Sequence, residues 1–330
     1  FTASAMIFIA TYYFWKLIKR PSSKNLILTG FFFSLALLSK TTAILLIPLF
    51  IIIGSTAVYK KEYNLKLKTL IKNLIVIFLI SFILILVFYK FQFGTLKNSL
   101  PPGHYSDKVR LELSKSPLFS DIFLFIYDEV PLPIPNFITG IGRIFYASTQ
   151  KTYGFVLGRV TDGIPWYSII VTFLLKTHLS LLIIIFLSFF LRKNLPHKDL
   201  ITNLCLSLPI LLIFIIFANT DKFGGVRHIL PIYHFIFILS SNIVNVKIKK
   251  KTIFNIFIIF LMFYYVLSTL MISPHYLAYI NEIGGGSNNG YKFTVGANID
   301  YGQDLLGLKK YMEKNNIKKI KLSYWGSIDP

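Results

Sequence analysis

Several cations stand where the surrounding sequence makes them conspicuous. Lys40 lies in SLALLSKTTAILLIP (34–48), with no acidic residue within ten positions on either side. Lys176 and His178 fall ten and twelve residues beyond Trp166, inside a long apolar run. Arg227 and His228 follow a glycine pair and open another such run. A cation deep in a bilayer is costly unless it faces water, an anion or a protein partner. A long lysine stem relieves part of that cost by reaching toward the interface. Two roles are open to these residues: recognition of an anion, for which Arg offers a bidentate fork, or anchoring at headgroup level. Arg143 and Arg159, with Lys151, lie among aromatics and glycines in 139–167 and carry the same two readings.

Acids are scarcer. Asp128 and Glu129 precede a proline run, Asp162 precedes Trp166, and Asp221 sits in a short link. Asp300 and Asp304 flank Gly302-Gln303, where a helix cap and a first-turn acid facing the helix dipole are the plainer reading. His275, Tyr276, Tyr279 and Asn281 read as residues of an outer mouth or as interfacial anchors. The six histidines are scattered and no HExxH or DxD occurs, so the residues point to no metal site, while a carboxylate-held divalent ion stays open. Cys205 is the one cysteine; it excludes an internal disulfide and a Cys-rich metal site.

The elements that must position these groups are membrane helices. The chain has 330 residues and is 54% hydrophobic, and its mean hydropathy is +0.63. The excess lies in blocks such as 73–89, 167–190 and 253–272. Blocks of this length match a hydrocarbon layer about 30 Å thick at 1.5 Å of rise per residue. The composition reads as that of a polytopic membrane protein and argues against a soluble domain. The net charge of +21 would suggest nucleic acid in a soluble chain, but here no nucleic-acid partner is expected, because the charge marks topology. The links 16–24, 59–72, 191–199 and 245–251 hold sixteen basic and two acidic residues and are placed on the cytoplasmic side. The loop after Phe91, by contrast, is nearly balanced.

Eight spans satisfy every basic link: 1–15, 25–39, 41–57, 73–91, 167–190, 201–218, 228–244 and 252–272. Together with the outer loop 92–166 they form a bundle over 1–272, followed by an outer segment, 273–330. Both flanks of 25–57 are basic, so the chain crosses there an even number of times. Two helices of about 22 to 25 Å, crossing or re-entrant, are expected to meet at Ser39-Lys40 near the outer face. In the outer loop, 116–130 reads as an interfacial helix. VPLPIPNF (130–137) reads as extended because of its three prolines. After Pro274, residues 300–316 predict a helix with Asp300 in the capping position, and IKKIKLSYW (317–325) alternates like a strand.

Four stretches carry a family resemblance: GFFFSLALLSKTTAILLIPL (30–49), GRVTDGIPWYSIIVTFLLKTHLSLL (158–182), GGVRHILPIYHFIFIL (224–239) and PHYLAYINEIGGGSNNGYKFTVGANIDYGQDLLGLKKYM (274–312). The chain resembles membrane glycosyltransferases of the GT-C class, in the protein O-mannosyltransferase and aminoarabinose transferase group (glycosyltransferase family 39). The last stretch is the most specific. It resembles a bacterial subgroup in which PHYLAYFNE and NLDWGQDL follow the final span; here Ile280, Ile299 and Tyr301 replace Phe, Leu and Trp.

The resemblance implies a mainly α fold: a polytopic transmembrane helical bundle of GT-C type, with outer-face loop helices and the start of a C-terminal extracytoplasmic α/β domain. It implies an enzyme of the bacterial plasma membrane, active at its outer face. The enzyme would move a sugar from a polyprenyl-phosphate carrier to a protein, lipid or glycan acceptor. The lipid-linked sugar is a substrate; no cofactor is identified. Under this resemblance Lys40, Arg143, Arg159, Lys176, His178, Arg227 and His228 become candidates for contact with the donor phosphate. The family's catalytic acid, an Asp in the first outer loop, has no equivalent, and the chain is expected to be a fragment in which that residue precedes Phe1. Two rivals remain: a transporter or lipid flippase, in which broken spans also bind substrate, and a non-catalytic scaffold of the same fold in envelope polysaccharide assembly.

Overall fold

Long apolar runs separated by short polar links leave the backbone one economical solution in an apolar medium, the helix, which satisfies its own hydrogen bonds. The computed structural model describes residues 1–100, 109, 111, 120–149, 151–195, 199–220 and 225–322. Its helices are α1 (Thr2–Lys19), α2 (Ser23–Ser39), α3 (Leu46–Tyr59), α4 (Leu67–Phe88), α5 (Ser120–Asp128), α6 (Pro135–Thr149), α7 (Ser168–Lys176), α8 (Leu179–Phe190), α9 (Leu200–Ala218), α10 (Leu230–Ser241), α11 (Lys251–Met271) and α12 (Leu305–Lys314). Two small antiparallel pairs join them: β1 (Phe93–Gly94) with β2 (Leu132–Pro133), and β3 (Tyr153–Val156) with β4 (Arg159–Asp162).

Among the described residues, four helical stretches are long and apolar enough to cross a bilayer: Thr41–Tyr59, α4, α9 and α11. The pair α7–α8 makes a fifth if counted as one span. The eight-crossing path also requires α1 and two shorter apolar helices, α2 and Leu230–Asn245, to cross. Side chains such as Ile75, Leu79 and Ile83 on α4, and Ile256, Phe260 and Phe263 on α11, are exposed, as on helices that face lipid.

The chain forms two compact units, Phe1–Gln150 with Lys198–Leu212, and Lys151–His197 with Ile213–Pro330. Residues 273–322 thus belong to the second unit together with the helices before them.

In the first unit, α2 packs on α1 and α4, and α3 packs on α1 and α4. Phe14 stacks on Phe50 at 4.2 Å, and Phe33 lies beside Phe50 and Phe78. Ser22 caps α2 by accepting from the Asn25 amide. Gly30 lets α2 and α4 approach closely. A Cβ there would meet Ile80 Cβ at 2.9 Å, and the Gly30 carbonyl accepts from the Ser81 hydroxyl at 3.1 Å. Gly30→Val is expected to destabilise this helix pair by about 1–3 kcal/mol, the usual cost of overpacking; thermal melting of the purified protein measures it, and an unchanged melting temperature would contradict the tight contact. The helix break falls at Lys40, whose extended backbone (φ −162°) ends α2 and starts the turn Thr41–Leu45 that runs into α3.

In the second unit, α8 packs on α10 and α11 around Ile184, Ile243, Ile258 and Leu261. Its least expected feature is the break between α7 and α8, which bends by 111° where the hydropathy predicts one continuous span.

Three local expectations need correction. Only Leu132–Pro133 of 130–137 is a strand; Pro135 opens α6, because a first-turn proline lacks only an amide that the helix does not use. Asp300 caps no helix. Its Oδ1 accepts from the Gly302 amide at 2.6 Å, closing a turn, and α12 begins at Leu305. Residues 317–322 form no strand, since alternation builds a strand only where a neighbouring ladder receives it; residues 323–325 lie outside the described residues.

Candidate functional site

A helix leaves its last four carbonyls without intrahelical partners. At the end of α7 those carbonyls are inside the protein, and one residue satisfies most of them. The Asn281 side-chain amide donates to the carbonyls of Leu174 at 2.6 Å and Thr177 at 2.7 Å. The Asn281 main-chain amide donates to the Leu175 carbonyl at 2.9 Å. The remaining oxygen, Oδ1, accepts from the Ile283 amide at 3.1 Å. Asn281 is fully buried, so it is an internal plug and not a residue of an open outer mouth.

Lys176 completes the same junction. Its ammonium donates to the carbonyls of Leu277 at 2.6 Å and Tyr279 at 2.9 Å. The lysine that looked stranded in an apolar run therefore has protein partners, as its depth requires. Two of its three donors go to this segment.

His178 follows the bend. Its Nδ1 lies 2.9 Å from the Ser268 hydroxyl, and its ring sits between Tyr265 and Tyr279 at centroid distances of 4.3 and 4.4 Å. Glu282, one turn on, accepts from the Tyr264 hydroxyl. Thr177 and Tyr233 share a hydroxyl hydrogen bond at 2.8 Å, tying α10 to the bend. The residues from 276 to 286 thus act as a strap bound to the break.

A cavity of about 160 Å³ lies beside α7. Its wall is made by the β3 strand, by Ser168, Thr172 and Lys176 of α7, and by Phe293, Thr294 and Asn298. Asn298 shapes the opposite side: its Oδ1 accepts from the Val226 amide at 2.9 Å and its amide donates to Thr294 Oγ1 at 2.8 Å. That bond fixes the turn carrying Arg227 and His228. Arg227 is exposed, with its guanidinium 5.2 Å from the centre of the Tyr301 ring; His228 lies edge-on to Phe217.

The other candidates fall elsewhere. Arg159 is exposed on β4 and does not line the cavity. Arg143 is on α6 and Lys40 at its helix break, both in the first unit. Asp128 pairs with Lys97 at 3.5 Å, and Asp304 with His275 at 3.2 Å. Asp221 lies outside the described residues. Among the described residues no group of three or more His, Cys, Asp or Glu could hold a metal ion.

One polar cluster in the first unit escaped the sequence reading. Lys19 pairs with Asp199 at 2.5 Å; Asp199 also accepts from the Thr202 amide and hydroxyl, and Trp15 donates to the same hydroxyl at 2.8 Å. Burial alone pushes the Asp199 carboxyl up, but hydrogen bonds from Lys19, Thr202 and Tyr63 outweigh it and hold the carboxyl well below the usual range. Nothing in the local sequence pairs positions 180 residues apart.

Comparisons with protein-family models, curated proteins and solved structures found no match to this chain.

Proposed function

We propose that the chain is the membrane part of a glycosyltransferase that moves a sugar from a polyprenyl-phosphate carrier to an acceptor at the outer face of the membrane. One observation carries the reading. Three of the four stretches with the family resemblance, 158–182, 224–239 and 274–312, converge on the break between α7 and α8, through Lys176, Asn281 and Thr177 with Tyr233, and Asn298 with Val226 joins two of them again. Stretches spread along the sequence that share one hydrogen-bonded junction beside a cavity are organised as a site.

In this reading the protein supplies a cation for the leaving phosphate and a fixed polar wall beside it. Arg227, exposed at a turn pinned by Asn298, is better placed for that task than Lys176, whose ammonium already serves main-chain carbonyls. Lys40 remains a second candidate. Purified full-length protein should transfer a labelled sugar from a polyprenyl-phosphate donor; absence of transfer from any such donor, with folded protein, sinks the proposal. Arg227→Ala and Lys40→Ala are each expected to lower donor use about tenfold or more, as loss of a charge-assisted contact does, without altering thermal stability. Normal transfer by both variants would remove these assignments.

The bent pair also favours a second reading, since broken membrane helices mark the substrate sites of transporters. Proteoliposomes distinguish the two: flux of a lipid-linked sugar without covalent transfer supports the transporter.

A further inference from the structure

We infer that the cavity beside α7 is a subsite for a single uncharged, hydroxylated ring, the sugar itself and not its phosphate. The inference rests on the glycosyltransferase reading for the ring's origin, but its chemistry comes from the wall. Ser168 is 3% exposed, and its hydroxyl has no hydrogen-bond partner although it is buried against this space. A buried hydroxyl without a partner is costly, so the position calls for a ligand or an ordered water. Thr172, 6% exposed, sits one helical turn further on the same face of α7. Opposite them, Asn298 spends one amide proton on Thr294 and has a second to give. The wall thus offers two hydroxyls and an amide within a mostly apolar lining that includes Phe155, Ile164, Leu175 and Phe293.

Charge is what the wall lacks. Among the described residues lining the cavity there is no carboxylate, and the one cation, Lys176, has its ammonium directed to the carbonyls of Leu277 and Tyr279. A cationic amino sugar would find no counter-charge, and an anionic uronic acid would have to compete with those two carbonyls. A volume of about 160 Å³ lies below the range of pockets for drug-sized ligands. One ring fits and an oligosaccharide does not.

The test is saturation-transfer NMR on the purified protein in detergent at pH 6, with methyl mannoside, glucosamine and glucuronate as probes. Methyl mannoside should receive saturation, and the signal should fall at least fivefold in Ser168→Ala/Thr172→Val, which removes hydroxyls at nearly constant volume. The two charged probes should give at most a fifth of the neutral signal. Equal signals from all three probes overturn the inference, as does a neutral signal that survives both the double variant and Thr172→Phe, which fills the cavity. Sugar transfer is scored separately. Ring binding without transfer leaves the subsite standing and removes the enzyme reading; transfer by a protein whose cavity binds no neutral ring removes the subsite alone.

Discussion

Asn281→Ala is expected to destabilise the second unit by about 2–5 kcal/mol. The substitution strips the carbonyls of Leu174 and Thr177 of their donor, and each buried carbonyl left unsatisfied costs about 1–3 kcal/mol. No water can repair the loss readily, since the site is fully buried and sits at the end of an apolar helix. Asn281→Asp is expected to be worse than alanine despite its matching shape. It replaces the amide donor with a carboxylate oxygen aimed at two carbonyl oxygens, in surroundings where an unpaired charge is expensive. Thermal melting of the purified protein ranks the three proteins. If the aspartate variant is as stable as wild type, the assignment of the side-chain amide to those carbonyls is wrong.

Asp199→Asn should weaken the first unit on the order of 1–2 kcal/mol at neutral pH. The pair with Lys19 is about a quarter to a third exposed, so solvent screening keeps the effect below that of a fully buried pair. The pH dependence gives the sharper result. The Asp199 carboxyl is held below its ordinary value, so it contributes stability that is complete above the unfolded value of about 3.9. That contribution is lost as pH falls below this value toward the depressed folded one. The gap in melting temperature between wild type and Asp199→Asn should therefore be constant from pH 7 to about 5 and shrink below about pH 4. A gap that stays constant down to pH 3 would show that the carboxylate charge is not what stabilises the cluster.

The reading from sequence was strongest where one-dimensional signals suffice. Apolar runs and basic links delimit the helices to within a few residues, and the parity argument at 25–57 leads to a helix break at Ser39-Lys40, where α2 does end. It failed where the decisive partner is remote. The bend between α7 and α8 has no proline or glycine to announce it, and both halves are apolar, so hydropathy joins them. The donors that satisfy its carbonyls lie more than a hundred residues away. Asn281 reads from sequence as a residue of an outer mouth or an interfacial anchor, and its burial could not be inferred from an asparagine in a polar, glycine-rich neighbourhood. Lys176 is conspicuous in the sequence for the right physical reason, since a deep lysine needs a partner, yet the partners are main-chain carbonyls that no residue type reveals. The expected strand at 317–325 shows the converse error: a real alternation with no ladder to join among the described residues.

The cap at the bend comes late in the chain. Its two halves are nine and twelve residues long, about 14 and 18 Å at the helical rise, so neither alone spans the hydrocarbon. Asn281 is 104 residues downstream of Thr177. At 5–20 residues per second, a ribosome needs about 5–20 s to deliver it. During that interval the carbonyls of Leu174, Leu175 and Thr177 lack the donors that Asn281 supplies in the finished protein. The hydrogen bonds that close the end of α7 therefore belong to a later stage of synthesis, and the segment 168–190 is complete well before the residue that caps it exists.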